Sequence, residues 1–148
     1  MTEKLLLTAL QGKATERTPF WFMRQAGRYL PEYRELRASK GGFLNLVYDP
    51  LAACEITLQP IRRFQMDGAI LFSDILVIPQ ALGQTLEFTA GEGPQLGDLN
   101  ISALKPENIH QTLSPIYETV SNIRAGLTSE GFHHTTLIGF AGSPCTLA

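Results

Sequence analysis

Asp49-Pro-Leu-Ala-Ala-Cys-Glu-Ile-Thr-Leu-Gln-Pro-Ile-Arg-Arg-Phe-Gln-Met-Asp-Gly-Ala-Ile-Leu-Phe72 decides the fold class, because it sets a helix directly before a buried strand. Asp49 is a good N-cap, and Pro50 fits the first helical position, where its missing N–H costs nothing. Leu51, Cys54, Leu58 and Ile61 then recur at spacings of three, four and three, which predicts one apolar stripe. Pro60 predicts a kink or an end to that helix. Gly68 to Phe72 is a continuous apolar run, the pattern of a strand covered on both faces.

The same alternation recurs on either side. Upstream, Leu5 to Gln11 reads as a short helix ended by Gly12, and Phe20 to Met23 as a short buried strand. Pro31 to Lys40 is an Arg- and Glu-rich helix closed by Gly41-Gly42. Downstream, Leu86 to Leu99 is rich in Gly, Pro and acidic residues, an excursion that is partly a hairpin. Ile116, Val120, Ile123 and Leu127 form a helical stripe behind Ser114-Pro115, and Thr135 to Phe140 is a third strand. Helical patterns between apolar runs predict an α/β fold with parallel strands. Three such strands leave an open edge, and Ser143-Pro144 reads as the start of another helix, so the expectation is the first part of a larger fold. No linker divides residues 1–148.

Composition narrows the function classes. The 148 residues carry 12 basic and 14 acidic side chains, a net charge of −2, without the strongly basic balance of a nucleic-acid-binding domain. No apolar run is long enough to span a membrane, and the N-terminus lacks the pattern of a secretory signal. Cys54 and Cys145 stand far apart in no metal-binding spacing, which excludes a disulfide scaffold and points to a reducing, cytoplasmic setting.

Two places carry candidate chemistry. Met23-Arg-Gln-Ala-Gly-Arg28 follows a strand candidate and sets two guanidiniums around Gly27. Arg is suited to gripping carboxylates or phosphates, because its planar fork bonds two oxygens at once. Two solvated loop arginines are the plain alternative. Asp74 closes the Gly68–Phe72 run and precedes a second apolar stretch; it either faces a ligand or caps the following turn. Arg37 lies on the polar helix or reaches the same cleft, and Arg62-Arg63 reads as a solvated helix end. Tyr29 and Tyr33 read as packing residues, Cys54 as core, and His110, His133 and His134 as surface residues with no convergent partner.

Taken together, Pro19-Phe-Trp-Phe-Met-Arg-Gln-Ala-Gly-Arg28, Tyr29-Leu-Pro-Glu-Tyr-Arg34, Cys54-Glu-Ile-Thr-Leu-Gln-Pro60, Ile70-Leu-Phe-Ser-Asp-Ile-Leu76, Pro79-Gln-Ala-Leu-Gly83, Gly91-Glu-Gly-Pro94 and Gly139-Phe-Ala-Gly-Ser-Pro144 resemble the uroporphyrinogen decarboxylase family over nearly the whole chain and in the family's order. The resemblance implies a (β/α)8 TIM barrel of which this chain supplies the first three strands. It implies that Arg24, Gln25, Ala26, Gly27 and Arg28 bind a porphyrinogen rich in carboxylates, with Arg37 and Phe43 nearby. It also implies that Asp74 is the catalytic acidic residue, accepting hydrogen bonds from the pyrrole N–H groups. The implied reaction converts the four acetate side chains of uroporphyrinogen III to methyls, giving coproporphyrinogen III. It needs no cofactor and no metal, and the full-length form is expected to be a cytoplasmic homodimer. Cys145 departs from the aromatic residue usual in the second family signature, and the chain ends before that signature's Tyr. Two alternatives therefore stay open: a non-catalytic truncated relative that binds porphyrin or a partner subunit, and a related barrel methyltransferase.

Overall fold

The structure is a computed structural model that describes residues 3–22, 27–89 and 93–143. Its elements in order are α1 (Leu5–Leu10), α2 (Pro31–Lys40), α3 (Phe43–Val47), α4 (Pro50–Phe64), β1 (Gly68–Ile70), α5 (Val77–Ala81), β2 (Leu86–Thr89), β3 (Gly93–Leu96), α6 (Ile109–Thr112), α7 (Ser114–Ser129) and β4 (Thr136–Ile138). Two 3-10 turns, Ile101–Ala103 and Pro106–Asn108, precede α6.

Helix starts and stops follow the local chemistry. Asp49 Oδ1 accepts from the Leu51 and Ala52 N–H groups at 3.1 and 2.9 Å, satisfying two donors that the first turn of α4 leaves over. Lys40 Nζ donates to Asp49 Oδ2 at 2.6 Å, so α2 and the cap of α4 are joined. Gly41 ends α2 at φ 76°, a conformation with little cost only for glycine. Ser114 does not cap α7: α6 runs almost directly into α7 through Leu113, and the Ser114 hydroxyl donates to the Gln111 carbonyl instead.

Helix α4 differs from its predicted face. Leu51 is 73% exposed and Cys54 half-buried, while Ala52, Ala53, Ile56, Thr57, Leu58 and Ile61 are buried. Pro60 neither ends the helix nor lies at its surface; α4 continues to Phe64 because its buried side is packed against α7 and β1. At the α4–α7 contact, a methyl on Gly126 would lie 2.7 Å from Leu58 Cδ1, so the helices approach closely there.

β1 and β4 pair in parallel, Gly68 opposite Thr136, Ala69 opposite Leu137 and Ile70 opposite Ile138. The helices between them make this a β–α–β crossover, as expected. β2 and β3 form the predicted hairpin as a separate antiparallel pair. The predicted strand at Phe20–Met23 is not formed over its described part: Phe20 and Phe22 are exposed, and Met23 lies outside the described residues. The Phe20 N–H is taken by Asp67 Oδ2 at 2.9 Å and its carbonyl by the Asp67 N–H at 3.0 Å, a clamp in place of a ladder. The described parallel sheet therefore has two strands where three were expected.

The core lies between α2, α3, α4, α7 and the sheet, with Leu30, Tyr33, Leu46, Ile56, Ile61, Ala69 and Ile123 among its buried residues. Arg62 and Arg63 are not free helix-end charges. Arg62 bridges Glu55 and Glu130 at 2.7 Å each, and Arg63 grips Glu32 at 2.6 and 2.9 Å. No helix among the described residues is long and apolar enough to cross a membrane.

Candidate active site

The carboxyl end of β1 is built by its neighbours. The Leu71 N–H donates to the Ile138 carbonyl at 2.9 Å, prolonging the pairing with β4 by one bond. The next amide, Phe72 N–H, donates at 3.0 Å to the hydroxyl of Thr57 on α4, and that hydroxyl donates to the Ala53 carbonyl at 2.8 Å. Phe72 is then held edge-on by Phe43 at a centroid distance of 5.6 Å and by Tyr33 at 6.3 Å. Aromatic pairs prefer this arrangement over a face-to-face stack.

Asp74 follows two residues later and is partly buried. Its Oδ1 accepts the Leu76 N–H at 2.8 Å, so the capping reading is correct as far as that oxygen goes. Among the described residues Oδ2 has no hydrogen-bond partner. The adjacent Ser73 hydroxyl is buried and also unpartnered. Beside them, the Tyr48 hydroxyl donates to Gln80 Oε1 at 2.9 Å. Burial first, and the Asp74 charge second, push the Tyr48 phenol above its ordinary value.

The opposite end of β1 carries a different carboxylate. Asp67 is fully buried and takes a two-pronged grip from Arg17, both bonds 2.7 Å. Those bonds, helped by the Phe20 N–H, hold its carboxyl below the usual range against the opposing effect of burial. In barrel folds the amino end of a strand serves stability and the carboxyl end carries chemistry. Asp67 stands just before β1 and Asp74 beyond its carboxyl end.

Of the residues singled out in the sequence, Phe43 packs against Phe72, and Asp74 follows Phe72 by two residues. Gly27 is buried and forms a turn in which its carbonyl accepts the Leu30 N–H at 2.8 Å; a methyl there would lie 2.8 Å from Leu30 Cγ. Arg28 leaves this turn exposed, and Arg37 is exposed on α2; neither has an ion-pair partner among the described residues. Arg24, Gln25, Ala26 and Cys145 lie outside the described residues. Tyr33 packs as read, but Tyr29 is 67% exposed. His110 Nδ1 does have a partner, the Tyr117 hydroxyl at 3.0 Å. No group of three or more His, Cys, Asp or Glu side chains among the described residues could hold a metal ion.

Thr57, Tyr48, Gln80 and Asp67 were not found by sequence reasoning. Only Asp67 gave a signal, a carboxylate set flush against an apolar run.

The family model for uroporphyrinogen decarboxylase (URO-D) matches residues 1–148. The chain is 62% identical over 148 residues to the uroporphyrinogen decarboxylase of Erythrobacter litoralis (strain HTCC2594), covering 97% of this chain and 42% of that protein. It is 56% identical over 153 residues to that of Paracoccus denitrificans (strain Pd 1222), covering 100% of this chain and 44% of that protein. A solved methyltransferase from Methanosarcina mazei superposes with a TM-score of 0.73 at 18% identity, over 96% of this chain and 42% of its own, a likeness of fold alone. The chain thus spans less than half the length of the relatives it matches. What it folds is a partial α/β piece of the family's (β/α)8 barrel. With a family model that matches residues 1–148 and relatives 62% and 56% identical along nearly all of its length, the chain belongs to the uroporphyrinogen decarboxylase family.

Proposed function

We propose that these residues supply one wall of the active site of a barrel that decarboxylates the acetate side chains of uroporphyrinogen III to give coproporphyrinogen III. The observation that carries the reading is Asp74, whose carboxylate is fixed through one oxygen and whose other oxygen has no partner among the described residues, beyond the carboxyl end of β1. A proton added to a pyrrole carbon makes the ring cationic, and the ring accepts the electron pair released as the bond to CO2 breaks. The exocyclic methylene so formed takes up a proton to become the methyl, and the ring carbon gives its added proton back. A fixed anion beside the macrocycle stabilises that charge most effectively where water is excluded. Before protonation, the same oxygen accepts pyrrole N–H hydrogen bonds. Arg24, Arg28 and Arg37 bind substrate carboxylates, Gln25, Ala26 and Gly27 shape the loop, and Phe43 lies against the ring system. The reaction as proposed draws its electron sink from the substrate and needs no cofactor. The working form is a cytoplasmic homodimer.

The test uses a full-length barrel carrying these residues. Asp74→Asn is expected to retain porphyrinogen binding and to lose at least a hundredfold in kcat, the scale of removing a charge that matters in the transition state. Arg28→Ala is expected to raise KM. Unchanged turnover in Asp74→Asn overturns the mechanism; porphyrin binding by the unaltered barrel with no product at all leaves a binding module in place of an enzyme.

A further inference from the structure

The turn that carries Asp74 is tied to an element distant in sequence. Asp74 Oδ1 accepts the Leu76 N–H at 2.8 Å, and the Leu76 carbonyl accepts the Gln80 N–H at 3.1 Å in the first turn of α5. The Gln80 side chain continues the run, its Oε1 accepting the Tyr48 hydroxyl at 2.9 Å. Tyr48 lies 32 residues upstream of Gln80 and closes α3, the helix that begins with Phe43. A continuous series of hydrogen bonds therefore joins the candidate acidic residue to the helix that carries the candidate ring contact.

We infer that Tyr48, acting through Gln80, is a positioning residue that holds the Asp74 turn against α3 and so fixes the carboxylate relative to Phe43. The inference rests on the decarboxylase reading of Asp74. Tyr48 is suited to the task because its ring is half-buried against the core, so the hydroxyl projects from an anchored base. Burial and the Asp74 charge keep the phenol protonated, so it stays a donor well past neutrality. A carboxylate that stabilises a developing charge is sensitive to such support: displacement by about 1 Å can cost about a hundredfold in rate.

The experiment compares Tyr48→Phe, Gln80→Met and the double variant in a full-length barrel carrying these residues, with Asp74→Asn beside them. Phenylalanine keeps the ring, and methionine keeps the side-chain length without the acceptor. Each single variant is expected to lower kcat about tenfold with KM within twofold, and the double variant to be no slower than either, because one strap is broken once. A kcat within twofold in Tyr48→Phe, or losses that multiply in the double variant, overturns the inference. Circular dichroism identifies a variant that fails to fold, in which case the other single substitution decides. Full turnover in Asp74→Asn overturns the role read for Asp74, on which the inference rests, whereas an inactive Asp74→Asn beside a fully active Tyr48→Phe removes only the strap.

Discussion

Asp67 and Asp74 flank the same short strand, and their partners assign them different work. Arg17 and the Phe20 N–H use both carboxylate oxygens of Asp67, whereas Leu76 uses one oxygen of Asp74. Removing one partner of a buried pair costs about 3–5 kcal/mol. The Arg17 side chain is 48% exposed and so screened by water, and Arg17→Met is expected to destabilise by less than the loss of a partner from a fully buried pair. The pH dependence has a definite sign. The folded-state carboxyl of Asp67 is depressed, so its contribution is fully present above the unfolded value of about 3.9 and is lost as pH falls through the folded value. Denaturant midpoints of a full-length barrel carrying these residues, taken from pH 6 downward, should fall below about pH 4. Arg17→Met should flatten that acid limb; an unchanged limb would show that Asp67 does not titrate with folding. This pair could not be read from the sequence, since its members stand 50 residues apart and a lone Arg-to-Asp relation has no local pattern. Asp74 stood out because its charge interrupts an apolar stretch, a signal that suits either a ligand-facing residue or a cap, and the structure shows the cap.

Between elements, α4 organises the site while concealing how it does so. Its start was readable from Asp49-Pro50, where capping chemistry is local. Its buried face was not, because Ala52, Ala53 and Thr57 are small or polar and add nothing to an apolar count. Leu51, the apparent head of the stripe, lies on the exposed side of a first turn whose Ala52 and Ala53 are buried. Thr57 shows what this conceals: its hydroxyl satisfies the Phe72 N–H just where the strand ladder with β4 has ended. Thr57→Val retains shape and leaves that buried donor unsatisfied, which costs about 1–3 kcal/mol. Thr57→Ser keeps the hydroxyl and should recover most of the loss in thermal or chemical unfolding of the same barrel. Equal stability of the Val and Ser variants would remove Thr57 from the support of the strand end. The first predicted strand failed for a related reason, since an apolar run signals burial and does not reveal which backbone groups a neighbouring carboxylate will claim.

At the scale of the whole molecule, β1 is covered by β4 on one side, while β4 has β1 as its single strand neighbour among the described residues. A groove lined by Leu71, Val120, Phe132, Leu137 and Ile138 runs between α7 and this sheet. Open strand edges and contiguous apolar surface favour association. The 148-residue polypeptide by itself is therefore expected to self-associate, with sedimentation that changes with concentration. A dilute monomer with one sharp, reversible, concentration-independent unfolding transition would contradict this. The parallel pairing also has a consequence in time. β1 is complete at residue 70, but its partner strand ends at residue 138. At synthesis rates of about 5–20 residues per second, the first strand waits roughly 3–14 s for the second to be made. For most of that wait, until α7 is complete at residue 129, the apolar side of α4 lacks its helical partner, and Ala69 lacks its cross-strand neighbour Leu137 until nearly the end. The speed of translation across residues 71–135 thus sets how long the nascent polypeptide offers its most adhesive surface to chaperones and to other unfinished chains.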